Sequence, residues 1–234
     1  MISARKTTWG LLATAATALL LTLASMRVAT ADEDAGPAGE IHKVNSSVHI
    51  EPGQHTGNVS TVNGSIHISE NAVVGQTHTV NGSLHMEAHS TATYLATVNG
   101  SIELQDGVHI NGAVHSVNGS LNIEDGVEIN GDLTNTNGGI HVAAAHIAGS
   151  IGTASGSIYL GPNAHIDGGV NMSKDTSWHF GFQQLPRVVI EPGTVVRGKL
   201  HFERPVTLYV SDHATIGPVE GAAVRKFSGD HPPE

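Results

Sequence analysis

The sequence predicts an all-β fold: a single-stranded parallel β-helix, or β-solenoid, with 18-residue coils of triangular cross-section. Two observations lead to this class. A segment of the type Val-Asn-Gly-Ser-Ile recurs with its Asn at positions 45, 63, 81, 99, 118 and 137, and aliphatic residues recur every six positions between these copies. The alternation of aliphatic and polar residues from Val62 to Ile66 is typical of a strand and not of a helix. Coils stacked in this way place parallel strands about 4.8 Å apart.

Composition and charge exclude several classes of protein. The chain has 234 residues, of which 28 are Gly and none is Cys, so a disulfide scaffold and a cysteine-based zinc site are both excluded. Its formal charge is -10, and residues 44–173 contain ten acids but no Lys or Arg. Because these residues have no fixed positive charge, they cannot displace the counterions of nucleic-acid phosphates, which argues against nucleic-acid binding.

Residues 1–31 have the layout of a secretory signal peptide. Arg5 and Lys6 precede an uncharged apolar run over 11–24, and Ala29-Thr30-Ala31 follows as a small-x-small cleavage site. The run is shorter than the ~20 residues that a membrane-spanning helix needs. We therefore expect an exported chain, periplasmic or extracellular, that does not span the membrane after cleavage. An uncleaved anchor is the alternative, and residues 32–41 are expected to form an acidic linker.

The solenoid is expected over residues 42–172, in about seven coils. The Asn of each repeat is expected to stack on its counterparts and form an amide ladder along the axis, and the Gly after it is expected to turn the corner with a positive φ. A chain of β-hairpins also uses Asn-Gly turns, but it gives no reason for an 18-residue period. The expected ladder residues are Asn45, Asn63, Asn81, Asn99, Asn118 and Asn137.

The pattern breaks after residue 172 and then resumes. Residues 173–187 are expected to form an aromatic insertion loop, with Trp178, Phe180 and Phe182 as candidate interaction residues. This loop either covers exposed edges of the solenoid or contacts a partner or a glycan. Further coils are expected over 188–218, followed by a disordered tail over 219–234.

The placement of Gly two residues after an aliphatic residue resembles the bactofilin family. It occurs in Ile110-Asn111-Gly112-Ala113-Val114 and again within 127–133 and 165–170. The resemblance covers roughly residues 42–218 and implies a right-handed β-helix, end-to-end assembly into filaments, and no catalysis or nucleotide. One departure is that bactofilins act in the cytoplasm, whereas this chain begins with an export signal. The left-handed hexapeptide acyltransferases also use 18-residue coils, but their fifth position requires a small residue where this chain often has Ile, Leu or Val.

One polar column suggests chemistry. His49, His67, His85 and Glu103 occupy the same outward position in consecutive coils. Imidazoles about 4.8 Å apart with a carboxylate beside them are candidate ligands for Zn²⁺ or Cu²⁺. The alternatives are a polar column without a ligand, and a pH response through protonation of neighbouring His side chains.

The sequence therefore favours an exported, non-enzymatic β-solenoid without a cofactor, with a structural or interaction role in the bacterial cell envelope. It leaves self-association open. The first alternative is a metal- or pH-responsive surface on the His column. The second is a polysaccharide-active enzyme that uses stacked acids near Glu87 and Glu124, although Asp106-Gly107 and Asp125-Gly126 have the composition of turns.

Overall fold

The computed structural model of this chain describes residues 39–174, 185–229 and 231–232, which all belong to one compact unit over 33–234. These residues form strands and no helix, and each strand pairs in parallel with its counterparts one coil away. The ten-stranded sheet contributes one strand to each coil, so the solenoid has about ten coils. The predicted all-β, parallel β-solenoid is confirmed. None of the described residues belongs to a helix long and apolar enough to cross a membrane.

Each coil has three faces, which we number in chain order. Face 1 leads into the Asn-Gly corner and consists of β1 (Ile41–Lys43), β3 (Val59–Asn63), β5 (Val73–Asn81), β7 (Thr91–Asn99), β10 (Val114–Asn118), β13 (Leu133–Asn137), β16 (Ile151–Thr153), β19 (Val170–Met172), β22 (Leu200–Phe202) and β25 (Val219–Glu220).

Face 2 follows that corner and is the ten-stranded sheet. It consists of β2 (Val48–Ile50), β4 (Ile66–Ile68), β6 (Leu84–Met86), β8 (Ile102–Leu104), β11 (Leu121–Ile123), β14 (Ile140–Val142), β17 (Ile158–Leu160), β20 (Arg187–Ile190), β23 (Thr207–Ser211) and β26 (Val224–Phe227).

Face 3 closes the coil with short strands, and the long strands β5 and β7 bend from this face into face 1 of the next coil. Its own strands are β9 (His109–Ile110), β12 (Glu128–Ile129), β15 (His146–Ile147), β18 (His165–Ile166), β21 (Val195–Val196) and β24 (Thr215–Ile216).

Coil length is nearly constant up to one interruption. Ile140 pairs with Ile158 in the next coil, and Ile158 pairs in turn with Val188, so the coil that begins at Ile158 is much longer than the one before it. Its additional residues lie between β19 and β20, where the sequence predicts an insertion. The candidate residues Trp178, Phe180 and Phe182 lie outside the described residues.

The core is a column of aliphatic side chains with a polar strip. Inward residues such as Ile66, Leu84 and Ile102 are fully buried. Face 1 also buries Thr79 and Thr97, whose hydroxyls donate to the carbonyl oxygens of Gly64 and Gly82 in the preceding coil at 2.9 Å. Each of these buried hydroxyls therefore has a partner, as a low-dielectric interior requires.

The Asn-Gly corner needs Gly mainly for a different reason from the one expected. The backbone of Gly82 lies outside the left-handed region, but a Cβ on it would lie 1.9 Å from the carbonyl oxygen of Gly64. Close stacking of coils therefore requires Gly there, and the expectation of a positive φ was wrong for this coil. It holds only further along the solenoid, where Gly119 and Gly138 have φ of 154° and 134°.

The expectation of a disordered tail over 219–234 also needs correction. β25 pairs with β22, and β26 pairs with β23 along its whole length. Phe227 is 6% exposed and so contributes a buried aromatic side chain at the end of the solenoid. The loose spacing of aliphatic residues after Ile216 hid this last coil, because the connection that brings Val224 into register with Leu208 is shorter than the repeat.

Candidate functional site

The candidate ligands of the His column lie on the outer surface of face 2. His67 is the middle residue of β4, between the fully buried Ile66 and Ile68, so strand alternation turns its ring outward. His49 pairs in register with His67, and His67 with His85. The ring centroids of both pairs are 5.0 Å apart, with interplanar angles of 14° and 11°. The rings therefore form a regular stack along the solenoid axis.

A carboxylate binds one of these rings from the side. Glu87 follows β6 directly, and its Oε1 lies 2.7 Å from His67 Nε2 in the preceding coil. Its Oε2 accepts a hydrogen bond of 3.1 Å from the backbone N–H of Glu70. The hydrogen bond from His67 holds the pKa of the Glu87 carboxyl below its usual value, so the group is a carboxylate at neutral pH.

His67, His85 and Glu87 form the one group of metal-ligating side chains found among the described residues. One ligand atom from each lies within 4.8 Å of the other two. The structure thus brings together two of the four candidate ligands, His67 and His85, and adds Glu87, which the sequence had placed with the acids of a possible enzyme.

The other two candidate ligands lie outside this group. His49 Nε2 is 3.9 Å from Glu51 Oε1, and neither belongs to the cluster. Glu103 pairs in register with His85, and its Oε2 lies 3.2 Å from His85 Nδ1. Glu103 is therefore a hydrogen-bond partner of a candidate ligand and not a fourth member of the group. Spacing along the column pointed to Glu103, whereas Glu87 reaches His67 across a coil boundary.

The expected amide ladder lies at the corner between faces 1 and 2. Asn63 Nδ2 donates to Asn45 Oδ1 at 2.9 Å, and each later Asn donates to the one before it. Ser155 continues the ladder, since its hydroxyl donates to Asn137 Oδ1 at 2.9 Å. The remaining amide bonds, of 2.8 to 2.9 Å, have Asn81, Asn99, Asn118 and Asn137 as donors. These residues stabilise the stack and offer no site.

A second His cluster on face 3 is an ion-pair network. His146 Nε2 lies 2.9 Å from Asp167 Oδ2, and His165 Nε2 lies 3.5 Å from Asp167 Oδ1. Arg197 also binds Asp167 Oδ1. The hydrogen bond from His146 comes first among the interactions that lower the pKa of Asp167, followed by the charge of Arg197. Since the guanidinium of Arg197 already binds the carboxylate of Asp167, the cluster is suited to linking successive coils.

An open groove of about 390 Å³ lies further along face 2. His141 and Tyr159 line it and stack on each other, with their centroids 4.7 Å apart and their planes 3° from parallel. Arg187 lines one side and also lies over the ring of Tyr209, at 4.7 Å from the centroid. The sequence placed His141 and Tyr159 on the polar column but did not indicate a groove.

No protein-family model, curated protein or solved structure matches this chain. Its function is therefore inferred from its own residues.

Proposed function

We propose that this chain is an exported, non-enzymatic β-solenoid that serves as a structural and interaction scaffold in the bacterial cell envelope, and that it works as a discrete unit. The observation that carries this proposal is a lysine at an inward position of the strand register in both the first and the last coil that the structure describes. These lysines oppose direct stacking of a second copy on either of these coils.

At the first described coil this lysine is Lys43. It is the third residue of β1 and pairs in register with Thr61, which is fully buried in the inward polar strip. Ile41, two residues earlier, packs against the core, so strand alternation puts Lys43 on the same inward side. Among the described residues β1 pairs only with β3, which leaves its other edge without a strand.

At the last coil the corresponding residue is Lys226. It pairs in register with Val210, an inward residue that is 2% exposed, whereas Lys226 itself is exposed. Arg225, the residue before it, faces outward beside the ring of Tyr209 at 5.8 Å. Within the described part of the chain β26 pairs only with β23. The last coil therefore has an ammonium group where the coils inside the solenoid have aliphatic side chains.

The energetic consequence opposes the gain from coil-on-coil contact. Stacking a further coil on either end buries a lysine, and the effective penalty for burying an unpaired charge is about several kcal/mol. Inward-pointing charges on edge strands are a recognised protection against edge-to-edge association. Polar terminal repeats play the same part in other repeat proteins.

The bactofilin resemblance supports a structural role for the solenoid. The two lysines argue against the other property that this resemblance implies, which is assembly into filaments. A bactofilin-like filament needs coil-on-coil contact at the ends, which Lys43 and Lys226 oppose. Together with the export signal this is a second departure from that family. We therefore propose a finite scaffold with bactofilin-like coils and not a cytoskeletal polymer.

The acids considered for an enzyme have structural partners. Glu87 binds His67 and a backbone N–H, and Asp125 Oδ1 accepts the N–H of Ala144 in the next coil at 3.0 Å. These contacts support a role in joining coils, in keeping with a non-enzymatic scaffold.

Export is tested by expressing the full chain with a C-terminal tag in a bacterium with two membranes and measuring its intact mass after fractionation. The proposal expects the protein in the periplasmic fraction or the medium, with its N-terminus at Asp32. Recovery of the full-length chain in the cytoplasm would contradict export, and an uncleaved chain in the membrane fraction would support the anchor instead.

A further inference from the structure

We call each pair of successive coils along the His column a level. Among the described residues, the level that holds His67 and His85 differs from every other. Here two stacked imidazoles, those of His67 and His85, face one carboxylate, that of Glu87. One level earlier, His49 and His67 stack in the same way, but Ser69 takes the place of Glu87. One level later, Glu103 takes the place of a histidine. Only this level combines two nitrogen ligands with an oxygen ligand.

Two further contacts hold the ligands in place. The backbone N–H of Glu70 binds Glu87 Oε2 and leaves Oε1 directed at His67. Glu103 Oε2 lies 3.2 Å from His85 Nδ1. It therefore favours the tautomer with the proton on Nδ1, in which Nε2 has a lone pair that can bind a metal. A carboxylate behind a ligating imidazole is a common outer partner in zinc sites and raises the basicity of the ligand.

We propose that His67, His85 and Glu87 bind a divalent transition-metal ion, with Zn²⁺ as the preferred ion. This site is separate from the scaffold role and does not depend on it. Two imidazole nitrogens, one carboxylate oxygen and water complete the four-coordinate shell that Zn²⁺ favours. The metal takes the place of the proton between His67 Nε2 and Glu87 Oε1. Solvent carries that proton to Nδ1, so the bound imidazole stays neutral and no net proton is lost.

The distances suit such a shell after a small adjustment. Ligand atoms around a tetrahedral Zn²⁺ are about 3.3 Å apart when the metal–ligand distances are about 2.0–2.1 Å, and the three atoms here lie within 4.8 Å of one another. The side chains of His67, His85 and Glu87 are 36%, 27% and 34% exposed. Rotation of these half-buried side chains therefore closes the site, and its open side admits the ion and a water ligand.

The test is titration of the purified, chelator-treated protein with Zn²⁺ by calorimetry and with Co²⁺ by visible absorption, whose intensity reports tetrahedral coordination. The wild-type protein is expected to show one tight equivalent. His67→Ala, His85→Ala and Glu87→Gln should each weaken this equivalent by at least about tenfold, and Glu103→Gln by about 10–100-fold, as expected for an outer-shell partner.

His141→Ala is the matched control, because His141 lies in the same outward column and stacks on Tyr159 without a carboxylate bridge. It should leave the tight equivalent unchanged. Circular dichroism of each variant confirms that the solenoid is folded. Tight binding that survives Glu87→Gln and His67→Ala, or that is lost equally in His141→Ala, would overturn the proposal. So would wild-type protein without a stoichiometric equivalent.

Discussion

Gly82 packs against the carbonyl oxygen of Gly64 so closely that a Cβ on Gly82 would lie 1.9 Å from that oxygen. The contact recurs at successive Asn-Gly corners, for example between Gly100 and Gly82, where the corresponding distance is 2.1 Å. Because the obstacle is backbone and not a flexible side chain, the coils cannot accept a methyl group there without moving apart.

We predict that Gly82→Ala destabilises the solenoid by about 3 kcal/mol or more, since it forces overpacking against the backbone in the middle of the stack. The measurement is the free energy of unfolding in urea. Gly139→Ala is the control: this residue lies one position after the equivalent corner, and its nearest contact would be 3.7 Å away. Equal losses in the two variants would show that close coil packing is not the reason for Gly at the corner.

The amide ladder makes a graded prediction. Asn81 donates one bond and accepts another, each 2.8 Å long, whereas Asn45 at the end of the ladder accepts a single bond from Asn63. At about 0.5–1.5 kcal/mol for each hydrogen bond, Asn81→Ala should cost about twice as much free energy of unfolding as Asn45→Ala. Identical costs would mean that the ladder bonds add little to stability.

The pH dependence of stability should reflect two half-buried histidines on face 1. Burial lowers the pKa of His78 and of His115 below the usual 6.5, aided at His78 by the charge of His42 and opposed at His115 by Asp132. Between the folded-state pKa and 6.5 the unfolded chain binds more protons than the folded chain. The contribution of these two histidines to stability is therefore fully present above pH 6.5 and is lost as the pH drops through this window.

Urea unfolding at a series of pH values between 7.5 and 5 measures this loss. The double variant His78→Gln, His115→Gln should flatten the profile in that range. It should leave the separate loss at lower pH, where carboxyl groups with lowered pKa values such as Asp167 become protonated. A wild-type profile that rises on acidification to pH 5.5 would contradict the assignment.

The repeat length and the inward aliphatic positions were predictable because strand alternation and a period of 18 are properties of the sequence alone. The amide ladder followed from the same period, since Asn63 and Asn81 share one position in successive coils. The role of Gly82 was not predictable, because a close approach between coils depends on three-dimensional stacking, whereas a positive φ is the familiar property of Gly.

The candidate site was predictable only in part. The alignment of His67 with His85 follows from the period, but Glu87 reaches His67 from a position outside the shared column. The last coil was missed because its register depends on a shorter connection after Ile216. The lysines at core positions, Lys43 and Lys226, became recognisable only once the register of β1 and β26 was known.

Removal of the two end lysines tests the scaffold proposal most directly. The purified wild-type protein and the double variant Lys43→Val, Lys226→Val are compared by sedimentation velocity over a range of concentrations and by negative-stain electron microscopy. Lys199→Val serves as the control for loss of a positive charge, because Lys199 pairs with Glu220 and does not occupy a core position of a terminal coil.

The wild-type protein and the control should each sediment as one species, with a solenoid about 5 nm long for ten coils at about 4.8 Å per coil. The double variant should associate into longer rods as its concentration rises. Filaments of the wild-type protein, or a double variant that remains a single species of wild-type size, would contradict the proposal that core-register lysines keep this solenoid discrete.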